Sequence, residues 1–173
     1  PQWGGIKVKH LASHLSGLPH YKQFDDKRGL YKSIALSTHY SDVNDALEMF
    51  DQTQLKFVPG SAFSYSTYGT VLLSAVMQAA SNLPYLELMR QLVFTPLGLA
   101  LTGAESSFSG QDNLATFYWN NAGKNQNLRV WREVDLSHRL AGGGFVSTSS
   151  ELVKLANSYF DEKFISALTI EKL

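Results

Sequence analysis

Tyr65-Ser66-Thr67-Tyr68-Gly69 is the stretch of this sequence best placed to do chemistry. It follows Val58-Pro59-Gly60, a turn signal in which proline fixes one torsion and glycine permits a positive one. It also opens a long apolar run, and a side chain at such a junction can be held rigidly at the lip of a cleft. On its own, Tyr65 reads as a partly buried ring against the adjacent helix, because tyrosines often pack that way and single-residue patterns are weak signals. His10 and His14 have the spacing of a His-Glu-x-x-His zinc helix, with His20 close by as a third ligand. Leu11 stands where the glutamate is required, so histidines satisfied by hydrogen bonds are expected and no metal site. Gly142-Gly143-Gly144 lacks the Gly-x-x-x-x-Gly-Lys pattern of a phosphate loop and reads as a structural bend. Ser64 and Ser66 are not in Gly-x-Ser-x-Gly, so a nucleophile elbow has no support.

The elements that must position these residues are mostly helical. Leu11, Leu15 and Leu18 recur at helical spacing until Gly17 and Pro19, which predicts a helix over about Val8 to Ser16. Ser41, Asp42 and Asp45 look like a helix start, with Val43, Ala46, Leu47 and Phe50 as its apolar face and an end near Gln54. The run Tyr68 to Ala80 is apolar on nearly every side, as expected of a helix in the middle of the domain. Pro84 suits the first turn of a further helix carrying Leu86, Met89, Leu92 and Val93, which Thr95-Pro96-Leu97-Gly98 stops. Ser106 to Asn113 is a polar loop. Phe117 to Trp119 and Leu128 to Trp131 read as two strands joined by a turn across Asn120 to Gln126, the clearest hairpin in the chain. The aromatic cluster there is most simply strand packing. The glycine run demands unusual torsions or close approach of another segment. Thr148 and Glu151 then have capping-box spacing before a helix carrying Leu152, Leu155, Ala156 and Tyr159.

The 173 residues fall within the range of one domain, and neither repeats nor a linker support a second. With 44% hydrophobic and 17% charged residues the chain has a globular profile. Fifteen basic residues balance fifteen acidic ones, so no net field draws it to nucleic acid or an anionic membrane, and a small-molecule or peptide substrate fits better. Thr70 to Ala80, the longest strongly apolar stretch, is about half of what a bilayer-spanning helix requires. Pro1 to Lys9 lack the pattern of a signal peptide, so any targeting information is expected to precede them. Cysteine is absent, which removes disulfides, thiolate zinc sites and cysteine nucleophiles.

The run Phe57 to Ser74, FVPGSAFSYSTYGTVLLS, resembles the central motif region of the serine β-lactamase-like proteins, class C β-lactamases and penicillin-binding DD-peptidases. His10-Leu11 through Ser16-Gly17-Leu18 is similar to that family's HLLSHTSGL element, Phe94 to Thr102 to its F-x-PLGM-x-x-T element, and Ala141 to Asn157 to its AGGG-x-x-ST-x-x-DL-x-x-F segment. The matches cover most of the chain in the family's order, and YSTYG and AGGGFVST look closest to the serine β-lactamase-like group.

The resemblance implies a mainly α chain with a small β-hairpin: the helical portion of the β-lactamase/transpeptidase-like α/β fold, lacking most of its sheet. It makes Tyr65 the general acid/base, gives Thr67 the position of a substrate-contacting asparagine, and leaves Ser66, Gly69, Gly142, Gly143 and Gly144 as motif support. Threonine is a departure, because a hydroxyl cannot supply an amide's carbonyl acceptor and two N–H donors. A phenol with a reference pKa near 10 needs a nearby cation to act as a base at neutral pH. In the family the cation belongs to a Ser-x-x-Lys helix whose serine attacks the carbonyl. No serine here has lysine three residues later, and the Lys-Thr-Gly or His-x-Gly strand is also missing, since Leu101-Thr102-Gly103 follows the PLG turn too directly. The nucleophile is therefore expected before Pro1 and the third motif after Leu173, with no cofactor required. Helices meant to pack on missing sheet would expose apolar faces, so self-association is expected. An exported bacterial protein is expected by family analogy alone. The rival expectation is a non-catalytic scaffold that keeps the fold without the chemistry.

Overall fold

The computed structural model describes residues 3–20, 38–108, 114–119, 129–130, 135–161 and 164–171. Helix α1 covers Val8–Ala12 and the central helix α2 covers Thr67–Ser81. Helix α3, Tyr85–Met89, runs on through a π turn at Arg90–Phe94 into α4, Thr95–Leu97. Helices α5, Leu140–Gly143, α6, Ser149–Ser158, and α7, Ala167–Ile170, complete the helical set. No helix among the described residues is long and apolar enough to cross a membrane.

The apolar run predicted from Tyr68 to Ala80 forms α2 because nothing within it breaks the ladder and both ends are capped. Ser66 accepts from the Gly69 amide at the start, and Asn82 turns left-handed at the end, with φ of 54°. Its inward residues Val71 and Ala75 join two clusters. One gathers Leu11, Leu18, Ala46 and Phe50, with the Phe50 ring stacked on Tyr68 at 4.4 Å and on Trp3 at 5.6 Å. The other gathers Val43 and Tyr85, with Phe145 packed against them.

Two helical expectations change. The first helix stops at Ala12, because His14 adopts φ of 57° and Gly17 φ of 78°, both outside the helical region. The helix expected from Ser41 to about Gln54 is only a 3-10 segment, Asp45–Met49. There the Asp42 carboxylate accepts from the Asn44 amide and from Gln78, so the short polar side chain competes with helix bonding and fastens the segment to α2. Pro84 is the N-cap of α3, one residue before the first turn, and Gly98 stops α4 at φ of 62°. Of the polar loop expected at Ser106 to Asn113, the part up to Phe108 lies in a 3-10 turn spanning Glu105–Phe108; residues 109–113 lie outside the described ones.

The expected hairpin is present as strands β2, Tyr118–Trp119, and β3, Arg129–Val130, antiparallel with Tyr118 opposite Val130. Its turn, Leu128 and Trp131 lie outside the described residues. A second antiparallel pair was not expected: β1, Gly103–Ala104, against β4, Phe145–Val146. Two-residue strands carry no alternation to read.

Glu151 ties this pair to α6. The sequence spacing suggested a reciprocal cap, and Thr148 does accept from the Glu151 amide at 3.3 Å. The Glu151 carboxylate instead accepts from the Leu101 amide at 2.9 Å and the Thr102 hydroxyl at 2.6 Å, and Thr102 shares a further bond with Ser147 at 2.7 Å. Desolvation disfavours the charged form, yet the bonds from Thr102 and Leu101, with the charge of Lys154, hold this carboxyl below its ordinary value of 4.5. A carboxyl lowered on folding contributes stability that is full above its unfolded value and lost as pH falls through the folded one. Glu151→Gln is therefore expected to lower the urea midpoint at neutral pH, with the deficit relative to the unaltered chain shrinking in acid; a deficit constant with pH would show that ionisation is irrelevant there.

Candidate active site

The segment leading to Tyr65 is laid against the end of α1 by a series of main-chain bonds. The Lys56 amide donates to Gly17, Gly60 to Leu15 and Ser64 to His14, at 2.8, 2.8 and 3.0 Å. A Cβ on Gly17 would stand 2.5 Å from the Phe57 carbonyl, so the sequence can close this approach only with glycine there. The Pro59-Gly60 turn and the Ser16-Gly17-Leu18 element are thus two sides of one structure.

Ser66 is fully buried. Its hydroxyl donates to the Pro19 carbonyl at 2.8 Å and accepts from the Gly69 amide at 3.0 Å, so it caps α2 and fastens it to the chain beyond α1. Tyr65, one residue earlier, is 53% exposed. Its ring lies beside two imidazoles, His14 at 4.6 Å and His20 at 5.2 Å between centroids. The Tyr85 phenol, only 7% exposed, is by comparison sealed in the core. Lys56 lies on the same side: its ammonium donates to the Ser64 hydroxyl at 3.2 Å. Burial first, and the Lys56 charge second, lower the His20 pKa below its ordinary 6.5.

Thr67 is only 3% exposed. Its amide donates to His20 Nδ1 at 3.2 Å, and a Cβ on Gly142 would fall 2.5 Å from its methyl group. Both features expected of the glycine run are present, close approach at Gly142 and a positive φ of 149° at Gly143. Gly144 is buried where a Cβ would meet the Leu140 backbone at 2.8 Å. The structure therefore gathers Tyr65, Ser66, Thr67 and Gly69 at the start of α2, and brings Gly142 onto them from α5. Sequence reasoning assigned His14 and His20 to hydrogen-bonded scaffolding, and their ring nitrogens do accept main-chain N–H groups. It missed that both rings touch Tyr65, a contact that no fixed spacing announces. Among the described residues no group of three or more His, Cys, Asp or Glu is arranged to hold a metal ion. A separate apolar hollow of about 420 Å³, between Leu86, Phe94, Leu99, Ala104 and Phe108, shares no lining residue with this lip.

The profile of the Beta-lactamase family matches residues 1–173, and the chain belongs to that family. It is 36% identical over 143 residues to the mouse protein named Serine beta-lactamase-like protein LACTB, mitochondrial, covering 83% of this chain and 25% of that one. Penicillin-binding protein 4* of Bacillus subtilis is 29% identical over 97 residues, covering 55% of this chain and 20% of that one. Among solved structures, a penicillin binding protein from Bacillus halodurans superposes with a TM-score of 0.78 at 22% identity, over 99% of this chain and 51% of that one. The D-amino acid amidase from Ochrobactrum anthropi gives 0.76 at 23%, over 98% and 48%. The chain thus spans about a quarter of the mouse relative and about half of each of the two solved chains.

The Gly142 contact gives a direct test of the site's packing. Gly142→Ala is expected to cost about 1–3 kcal/mol in urea unfolding, because the added methyl collides with that of Thr67. Adding Thr67→Ser, which removes the opposing methyl, should recover most of the loss; simple additivity in the double mutant would mean the two do not touch.

Proposed function

We propose that the chain is part of a serine hydrolase that opens an amide or peptide-like carbonyl through an acyl-enzyme, with Tyr65 as general acid/base and the attacking hydroxyl on polypeptide outside these residues. The observation that supports it is the Tyr65 ring, half-exposed at the lip while the main chain on both sides of it is pinned. In this reading the serine hydroxyl attacks the carbonyl carbon and gives its proton to the phenolate, and the phenol returns that proton to the departing amine. The phenolate requires a cation beside it, which a Ser-x-x-Lys helix would supply. Thr67 holds the position of the substrate-contacting residue, and Ser66, Gly69, Gly142, Gly143 and Gly144 fix the surrounding backbone. The chemistry calls for no cofactor, and its substrate is a small molecule or a peptide.

A second reading, a scaffold of the same fold without catalysis, draws on Thr67. Its 3% exposure leaves little surface with which to contact any substrate. Apolar side chains exposed on α6 and the segment after it, among them Leu152, Val153 and Phe160, favour self-association of the isolated chain under either reading. A serine-directed acylating probe separates the two. The longer protein containing this segment should be labelled at a serine followed three residues later by lysine, and the 173-residue chain should not be labelled. Labelling of any serine within the chain would overturn the assignment, and failure of the longer protein to react would favour the scaffold.

A further inference from the structure

The two imidazoles beside Tyr65 are held in an unusual way. The Ser66 amide donates to His14 Nδ1 at 3.4 Å and the Thr67 amide donates to His20 Nδ1 at 3.2 Å. These are the two residues that immediately follow the phenol. His14 also accepts from the Ser64 amide through its own carbonyl at 3.0 Å, so one residue, in a left-handed conformation with φ of 57°, straddles Tyr65 from both sides in the chain. A main-chain N–H can only donate, so Nδ1 of each ring must present a lone pair, and a neutral ring then carries its proton on Nε2. Protonating either ring at Nδ1 would set two N–H groups against each other.

We propose that His14 and His20 are positioning residues for Tyr65: two imidazoles, pinned through Nδ1 by the Ser66 and Thr67 amides, fix the phenol at the lip, and His20 loosens that hold when its ring takes a proton at Nδ1. The role rests on the reading of Tyr65 as proton carrier, but the clamp itself is a matter of geometry. Among the described residues, the titratable groups facing the rings are Tyr65, which both touch, and Lys56, whose charge opposes a second cation on His20. His20 is lowered by burial and then by Lys56, so the clamp's contribution is full above 6.5 and is lost as pH falls through the folded value.

Nitrogen-15 NMR of the chain tests this without any turnover, so it can fail while the hydrolase reading stands, and the reverse. At neutral pH the Nδ1 atoms of His14 and His20 should show the shift of an unprotonated nitrogen. As pH falls, the Thr67 amide and the Tyr65 ring signals should move together, with the His20 midpoint, below 6.5. His20→Asn places a non-titrating oxygen where Nδ1 stands: the Thr67 amide should stay bonded and lose its pH response. His20→Ala should speed solvent exchange of that amide about tenfold. Protonated Nδ1 in either ring at neutral pH, or Tyr65 and Thr67 signals indifferent to His20 protonation, would overturn the proposal.

Discussion

One buried hydroxyl carries the site. Ser66 stands at the start of α2, fully buried, and its hydroxyl makes one bond to each of two main-chain groups, the Pro19 carbonyl beyond α1 and the Gly69 amide within α2. A helix begins with amides that lack partners, and an unpaired polar group in the interior costs about 1–3 kcal/mol. Ser66 satisfies the Gly69 amide and the Pro19 carbonyl together, so the start of the helix is fixed relative to the preceding chain. Successive side chains in an extended segment point to opposite sides, and Ser66 is extended, with φ of −147°. Burying Ser66 therefore turns Tyr65 outward, against His14 and His20.

The glycines have complementary duties. Gly17 lets the Phe57 carbonyl pass close to the chain after α1, and Gly142 lets α5 close over Thr67. Without the first, the segment carrying Tyr65 could not lie where it does; without the second, the N-terminal turn of α2 would lose its cover. Glu151 plays a similar part at a distance, holding Leu101 and Thr102 so that β1 meets β4 directly after the glycine bend. Each device replaces a general hydrophobic contact with a specific approach, and together they determine which atoms of α2 face outward.

Much of this was legible in the sequence because it depends on local rules. The apolar run after Tyr68, the helix stop at Gly98, the Thr148 cap and the unusual torsions or close approach at the glycine run all follow from residue types at fixed spacing. What escaped depends on partners distant in the chain. The Asp42 carboxylate reaches Gln78, which helps to reduce an expected helix to a 3-10 turn. Glu151 abandons its reciprocal cap for donors 50 residues away. The strands β1 and β4 are two residues each, held by pairing and by Glu151 rather than by any alternation of their own. For the candidate site, motif order pointed to Tyr65, Ser66, Thr67 and the glycines, whereas the contact of His14 and His20 with the phenol appears only when the chain is folded.

The burial of Ser66 is open to one direct measurement, the equilibrium urea denaturation of Ser66→Ala beside the unaltered chain. Losing the cap and stranding the Pro19 carbonyl and the Gly69 amide should together reduce the unfolding free energy by about 2–4 kcal/mol, with an unchanged slope. A stability within about 0.5 kcal/mol of the original would show that the start of α2 is held by something other than this hydroxyl, and the orientation of Tyr65 would then have no physical cause.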